Sequence, residues 1–311
     1  MPKVSIIVPN YNHAKYLSKR LDSIIHQTYQ DFEVILLDDC STDNSLEIIN
    51  RYVWNTKIVH IVKNVKNSGG TFNQWVRGIN LAKGEFIWIA ESDDFAEERF
   101  LETAIHNFQD NNCSIFFSQS YIVDERGTVQ GCWDEKAAIY DSNFVTEGKE
   151  LIQKYMTFQN IIPNASAVVF SKGLLDADIE KDILNYKING DWYLWINLLM
   201  KGNCAYHSKP LNYFRRHEAA GSNKNVTNFK NIEEAFKINI FLKNNNFKIN
   251  GQRWLRIWIG QTGYRIRTLL ERNFLNIYKL SFELFPFPFT YMLYIIFYHK
   301  IKKLYSYFKL L

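Results

Sequence analysis

Cysteine is scarce in this sequence and thinly spread. Cys40, Cys113, Cys132 and Cys204 stand far apart with no CxxC pair. That spacing indicates neither a zinc site nor a disulfide framework, and it suits reduced thiols. There is no internal repeat and no low-complexity tract. The opening run Met1-Pro2-Lys3-Val4-Ser5-Ile6-Ile7-Val8 leads straight into a strand and lacks the shape of a signal peptide, so a cytoplasmic location is expected. A confident membrane span is missing as well. Residues 285–298 carry no charge, but the run is short and holds two prolines.

What is present points to a large, well-cored chain. Its 311 residues suffice for one large domain or a domain with an appendage, and 47% of them are hydrophobic. Aromatic residues reach 16%, enough to supply sugar-stacking or membrane-facing surfaces besides core. The net charge of +5 is unevenly placed, with ten Lys and Arg against two acids from Gly251 onward. A near-neutral body with a basic, aromatic tail suits an anionic surface better than nucleic acid. In the last segment Lys300, Lys302, Lys303 and Lys309 interleave with Leu304, Tyr305, Tyr307 and Phe308. This mixture fits peripheral docking on a membrane surface; a terminal helix packed on the domain is the other reading.

Strand and helix patterns alternate four times within the first 110 residues. Val4–Pro9, Phe32–Leu37, Lys57–Val62 and residues 86–90 read as buried strands. Tyr16–His26, Ser45–Tyr52 and a segment from Thr71, expected to cap it, to Ala82 read as helices. Alternation of this kind predicts a parallel sheet covered on both faces, with the strands' carboxyl ends on one edge. Three of those ends run into polar loops, at 10–13, 38–43 and 91–94. Further on, Cys113–Asp124 and Cys204–Phe214 read as strands, 125–145 as an irregular polar segment, and Trp192–Met200 as an apolar helix. Helices are expected again from Asn228 to about Arg272.

The most informative stretch is Phe86-Ile87-Trp88-Ile89-Ala90-Glu91-Ser92-Asp93-Asp94, an apolar run that ends in three carboxylates within four residues. An acid cluster at a strand's carboxyl end lies where open α/β sheets place their ligands. Carboxylates this close repel one another unless a cation sits among them. Mg²⁺ or Mn²⁺ bridging to a phosphate ester answers that need, whereas a solvated turn before the next helix is the plainer alternative.

Three pieces taken together carry a resemblance. They are Val4-Ser5-Ile6-Ile7-Val8-Pro9-Asn10-Tyr11-Asn12, then Leu37-Asp38-Asp39-Cys40-Ser41-Thr42-Asp43, then Ala82-Lys83-Gly84-Glu85 leading to Glu91-Ser92-Asp93-Asp94. In order and spacing they resemble the family 2 glycosyltransferases of the GT-A fold, closely over residues 3–125 and more loosely to about 217. The resemblance implies an α/β, Rossmann-like, mostly parallel sheet flanked by helices. It implies inverting transfer of a sugar from a nucleotide-diphosphate sugar, a UDP-sugar by preference, to a glycan or lipid-linked acceptor. The expected layout is a glycosyltransferase domain over 1–222 (nucleotide-sugar half 1–125, acceptor half 126–222), a helical extension over 223–284 and a membrane-docking tail over 285–311. An oligomer is compatible with the helical extension.

The same resemblance assigns residues. Pro9, Tyr11, Asn12 and Asp39 wall and hold the nucleotide base, and Asp43 is read as a helix cap. Asp94 is the better metal ligand for Mn²⁺ or Mg²⁺, and Asp93 faces the ribose or the metal. Asp191 is the general base, with an N-cap role as its alternative. Arg215, Arg216 and His217 lie near the diphosphate, His217 as a metal ligand or phosphate contact. Asn164 and Ser166 are acceptor-side, and Trp192 and Trp195 line the acceptor pocket or pack in the core. Arg77 reaches phosphate or solvent. His13, His26 and His60 receive no role. The sequence departs from the family pattern at Glu91, where the first acid is usually Asp, at Arg77-Gly78, where Asn-x-Gly is common, and at Gly190, where an acid often precedes the base.

Rival readings explain less. A nucleotidyltransferase is expected to carry a Gly-rich loop with Lys or Arg after the first strand, and Asn10-Tyr11-Asn12 stands there instead. A non-catalytic sugar- or nucleotide-binding protein has no need to keep Asp39, Asp93, Asp94 and Asp191 together. A membrane-docked scaffold leaves the acidic strand-end loops without a purpose.

Overall fold

The β-branched runs become the centre of the sheet. A computed structural model describes residues 1–111, 113–134, 137–217 and 229–250. Its first half is β1 (Val4–Asn10), α1 (Ala14–Ile25), β2 (Phe32–Asp38), α2 (Ser45–Asn50), β3 (Ile58–Lys63), α3 (Thr71–Leu81) and β4 (Phe86–Ile89). Strands β1, β2 and β4 are buried along their whole length, as expected for strands covered on both faces. Thr71 is the first residue of α3 rather than its cap; Gly70 takes the cap position without a side-chain bond.

The second half adds β5 (Phe95–Ala96), α4 (Phe100–Asn111), β6 (Cys113–Val123), β7 (Val129–Cys132), β8 (Phe144–Glu147), α5 (Gly148–Leu151), β9 (Val168–Ser171), α6 (Ala177–Ile183), α7 (Gly190–Leu199) and β10 (Asn203–Arg215). Residues 125–145, read from sequence as irregular, therefore contain β7 and the start of β8. Both are short edge pieces hung on long neighbours, β7 on β6 and β8 on β10. Helix α6 had no sequence signal strong enough to register, although Asp176 caps it by accepting from the Ile179 amide at 2.9 Å.

The strands are ordered β3-β2-β1-β4-β9-β6-β10-β5. The pairs β1–β2, β2–β3, β1–β4 and β6–β10 are parallel, while β9 runs antiparallel between β4 and β6. Six strands, β1, β2, β3, β4, β6 and β10, thus point one way and share a carboxyl edge. The expected mostly parallel sheet flanked by helices is what forms.

Helices cover both faces. Leu17, Leu21 and Ile24 of α1, Ile49 of α2 and Phe100, Leu101, Ala104 and Ile105 of α4 pack with Val4, Ile6, Val8 and Trp88. Full burial of each large apolar side chain is worth about 1.5–3 kcal/mol. On the other face α3 lies so close to β1 that a Cβ on Gly78 meets Ile7 Cγ2 at 2.4 Å. Trp195 of α7 packs there against Trp75 and Phe170, with ring centroids 6.3 and 5.7 Å away. Gly84 makes a similar close approach, because a Cβ there meets the Ser5 amide nitrogen at 2.5 Å.

Contacts assign these elements to one unit, residues 1–156 with 160–220. Helix α8 (Phe229–Asn244) belongs to a second unit; its Glu233 pairs with Lys237 at 2.8 Å, one turn on. No helix among the described residues is long and apolar enough to cross a membrane. The tail read as membrane-docking, 285–311, and most of the extension 223–284 lie outside the described residues.

Candidate active site

The site is built on the shared carboxyl edge, where β1, β2 and β4 deliver their loops. Two residues on this edge, Asn12 and Cys40, sit in the left-handed region at φ 55° and 64°. Asn tolerates this readily, whereas Cys at such a position stores about 1–3 kcal/mol of backbone strain. Asn12 turns its side chain to the neighbouring loop: its Oδ1 accepts from the Thr42 and Asp43 amides at 2.7 and 3.3 Å. Asp43 accepts from the Ala14 and Ser45 amides, both beside helix starts, and so ties the first two loops together. Asp38 is buried and accepts from Asn10 Nδ2 at 2.8 Å and Ser41 Oγ at 2.7 Å. Pro9 is buried at the end of β1, and Tyr11 is exposed.

Asp39 is the hub of the nucleotide side. Its Oδ1 accepts from Asn64 Nδ2, the Ser68 amide and Gln74 Nε2 at 2.6, 2.8 and 2.9 Å, and its Oδ2 accepts from Ser68 Oγ at 2.8 Å. Oδ1 is thus filled, and Oδ2 retains an acceptor position. Arg77 is exposed and donates to Asn64 Oδ1, so it stands beside this hub rather than at the acid cluster.

The acid loop is enclosed by residues that arrive from far along the chain. Because β9 is antiparallel, its start lies beside the end of β4, with Val169 paired to Trp88. Ser166 Oγ there accepts from the Glu91 amide at 3.1 Å, and its carbonyl accepts from Trp88 Nε1 at 2.9 Å. Asn164 donates its side-chain amide to Asp94 Oδ2, while Asp94 Oδ1 accepts from the Arg215 amide at 2.8 Å. Each oxygen of Asp94 therefore accepts one hydrogen bond and keeps a second lone pair, and the residue is 2% exposed. Asn164 and Ser166, read from sequence as acceptor-side, brace the acid loop.

Asp93 points elsewhere. Its Oδ2 lies 3.0 Å from His217 Nε2. His13 joins the same cluster, with its Nδ1 2.8 Å from Ser92 Oγ and its ring centroid 5.6 Å from that of His217. Ligand-capable atoms of His13, Asp93 and His217 all lie within 4.8 Å of one another, the spacing of a metal centre. An imidazole, a carboxylate and a second imidazole form a donor set that fits a divalent ion.

Burial and repulsion set the charges. Glu91, which accepts from Trp75 Nε1 at 2.8 Å, is pushed up to about 8 by burial and then by the Asp93 charge. Asp94 is pushed up to about 7 by the same two causes. Burial acts to raise Asp93 too, but the His217 hydrogen bond and the two imidazole charges outweigh it and hold Asp93 below the usual range. Of the two carboxyls, Asp94 is therefore the one whose surroundings favour the proton. Burial lowers His13 below the ordinary imidazole value.

Two arginines complete the surround. Arg20 of α1 is fully buried, donates from Nε to the Glu91 carbonyl at 2.9 Å and faces the Trp88 ring at 5.2 Å. Burial lowers its pKa to about 10, and the charges of Asp94, Asp93 and Glu91 favour its cation. Arg215 is a clamp: Nε donates to the Asp93 carbonyl, and Nη1 to the carbonyls of Asp124 and Glu125. Its planar group lies 4.6 Å from the Tyr16 ring. Arg216 points outward to Trp133 at 5.6 Å.

Asp191 stands on the second residue of α7, behind Asn189 at the cap position. Its Oδ1 accepts from the Trp192 amide at 2.7 Å and its Oδ2 from Asn160 Nδ2 at 2.9 Å. Gly190 is pressed on Phe72 of α3, whose ring carbons lie 2.7–2.9 Å from where a Cβ would stand. The acid expected before the base has no room here. Phe72 meets Trp75 edge-on at 5.0 Å, and Trp75 bonds Glu91, so one aromatic pair links Asp191's helix to the acid loop. Trp192 is buried, and its Nε1 has no hydrogen-bond partner among the described residues. Trp195 is core.

His13, Arg20 and the Asn64–Ser68–Gln74 cradle were not singled out from sequence. Only His13 carried a signal, its place in the loop after the first strand.

An α/β sheet with an acidic loop at the carboxyl edge, a nucleotide-side carboxylate and a His–Asp–His cluster defines a GT-A-type domain. Residues 5–159 match the model of "Glycosyl transferase family 2". The chain belongs to that family. It is 38% identical to glycosyltransferase GlyG of Streptococcus pneumoniae over 122 residues, 39% of this chain and 40% of that protein. It is 28% identical to a poly(ribitol-phosphate) beta-glucosyltransferase of Bacillus spizizenii over 251 residues, 76% of this chain and 39% of that protein. The chain thus spans about two fifths of these relatives' lengths. Among solved structures, that of S. aureus TarS 1–349 in complex with UDP-GlcNAc shares the fold with a TM-score of 0.66, at 20% identity, over 88% of this chain and 79% of that one.

Proposed function

We propose that this protein is an inverting, metal-assisted glycosyltransferase. It moves a sugar from a nucleotide-diphosphate sugar, a UDP-sugar by preference, to a glycan or lipid-linked acceptor of a surface polysaccharide. The observation that carries the reading is the convergence of Asp39, the acid loop and His217 on one sheet edge within a family 2 domain. The relatives' names, a poly(ribitol-phosphate) glucosyltransferase among them, support the surface-polymer part.

The geometry supports the following residue roles. Asp39 Oδ2 accepts a base N–H, and the loop of Pro9, Tyr11 and Asn12 walls the ring. Asp93 and His217 hold Mn²⁺ or Mg²⁺. Asp94 fixes the loop against Asn164 and Arg215, and because each of its oxygens keeps a second lone pair it stays available to the ion. A bound ion supplies charge neutralisation for the departing diphosphate. Asp191 takes the proton of the acceptor hydroxyl as that oxygen attacks the anomeric carbon from the face opposite the diphosphate. Asn160 and the Trp192 amide aim its carboxylate. Trp192 offers its indole N–H on the acceptor side, and Arg77 gives the nucleotide side a positive charge. The basic, aromatic residues 285–311 hold the protein on the cytoplasmic face of a membrane, near a lipid-linked acceptor.

The test is donor binding and nucleotide release with UDP-, GDP- and dTDP-sugars, with Mn²⁺, Mg²⁺ or EDTA. Asp191→Asn is expected to bind donor as the wild type does and to lose about 10²–10⁴-fold in turnover. If no nucleotide sugar binds with either metal, the transferase reading fails. Cosedimentation with anionic vesicles, with and without residues 285–311, checks the membrane part.

A further inference from the structure

We propose that His13 is a third ligand of the ion. With Asp93 and His217 it completes a set of two imidazole nitrogens and one carboxylate oxygen, which selects a first-row transition ion such as Mn²⁺ over Mg²⁺. This rests on the metal-assisted reading above and goes beyond it by naming a ligand and a selectivity.

The spacing fits. At metal–ligand distances of about 2.1 Å, two adjacent donors on one ion lie about 3.0 Å apart and two opposite donors about 4.2 Å apart. Asp93 Oδ2 and His217 Nε2 are already 3.0 Å apart. All three ligand atoms fall within 4.8 Å of one another, close to the span that one ion bridges.

His13 is also held as a ligating histidine is held. It sits at the residue before α1, where its carbonyl accepts from the Tyr16 and Leu17 amides at 2.9 and 3.0 Å, fixing the backbone. Its Nδ1 lies 2.8 Å from Ser92 Oγ. With Nδ1–H donating to that hydroxyl, the lone pair is on Nε2, the tautomer a metal takes. Tyr16 and His217 flank the ring, with centroids 6.0 and 5.6 Å away. Ser92, the middle residue of the acid motif, thereby gains a role as orienter.

The donor set decides selectivity. Mg²⁺ prefers oxygen ligands and gives up its waters reluctantly, whereas imidazole suits first-row transition ions. A site made of Asp carboxylates and diphosphate oxygens takes either ion. Two imidazoles turn the choice toward Mn²⁺.

The experiment titrates Mn²⁺ alone and Mn²⁺ with UDP into the full chain, counts free Mn²⁺ by electron paramagnetic resonance and reads nitrogen coupling by the pulsed method. Mg²⁺ is the competitor. The wild type is expected to show two imidazole nitrogens on Mn²⁺ and to need about 100-fold more Mg²⁺ for displacement. His13→Gln is expected to leave one nitrogen, weaken Mn²⁺ about 10–100-fold and narrow the preference; Ser92→Ala keeps both nitrogens and weakens Mn²⁺ about 10-fold. A single nitrogen in the wild type overturns the proposal, and that readout does not depend on any variant folding. If Asp93→Asn and His217→Gln abolish Mn²⁺ binding while His13→Gln changes nothing, the third ligand falls and the metal reading stands. If the wild type binds no Mn²⁺ with or without UDP, both fall.

Discussion

Replacing Glu91 by Gln should make the metal-free protein more stable at alkaline pH, even though it alters the acid motif itself. The carboxyl is pushed up to about 8 in the folded chain, against 4.5 for a free glutamate. A folded-state pKa above the unfolded one means that the native state binds the extra proton. The stability so gained is complete below about 4.5 and is lost as pH rises toward 8. Asp94, pushed up to about 7, acts with the same sign; Asp93, held low, acts with the opposite sign at acid pH. At pH 8 the ionised Glu91 costs about 4 kcal/mol at 1.36 kcal/mol per pKa unit. Glu91 is only partly buried, so solvent screens part of this, leaving about 2–4 kcal/mol. Gln keeps a carbonyl for Trp75 Nε1 and cannot ionise. Thermal melts in EDTA from pH 5 to pH 9 should show the wild type falling throughout and Glu91→Gln falling less, its remaining slope below about pH 7 coming from Asp94. At pH 8 the variant should melt about 5–15 °C higher. Wild-type melting temperatures that are constant or rising from pH 5 to pH 8 would refute the reasoning.

Two further outcomes test the frame of the site. Asp39→Asn leaves an amide facing donors from Asn64, Ser68 and Gln74, so it should cost about 1–3 kcal/mol and weaken nucleotide binding; an unchanged melt with unchanged UDP calorimetry would contradict the hub. Gly84→Ala puts a Cβ 2.5 Å from the Ser5 amide nitrogen and 2.7 Å from the Val4 carbonyl carbon. Backbone has to give way there, so urea unfolding should show a loss of about 3 kcal/mol or more.

Much of the sheet was legible in the sequence, because a strand buried on both faces shows as a β-branched run whatever surrounds it. Val4–Pro9 and Phe32–Leu37 each fall within a residue of the observed strand. Asp39, Asp93 and Asp94 stood out because they end such runs. What stayed hidden depends on partners remote in sequence. His13 meets His217, and Arg215 reaches back to Asp93, only through the pairing of β5 with β10 and β6 with β10. Helix α6 was hidden for another reason: it is short, and only Ile179 and Ile183 are buried on it. Gly190 is the instructive departure. The missing acid reads from sequence as a loss, yet the Phe72 ring occupying that space is visible only in three dimensions.

The reversed strand β9 has a consequence for the order in which the molecule is made. Its start, not its end, reaches the common edge, so Asn164 and Ser166 arrive on the acid loop from the later part of the chain, and Arg215 follows after another forty-odd residues. A ribosome that has released only the first four strands and their crossovers has therefore produced a sheet whose carboxylates still face water. There they stay ionised, mutually repelling and unable to hold their final loop. The acid loop waits for its late partners, and chain synthesis must run past residue 215 before the loop around Glu91 and Asp94 can close.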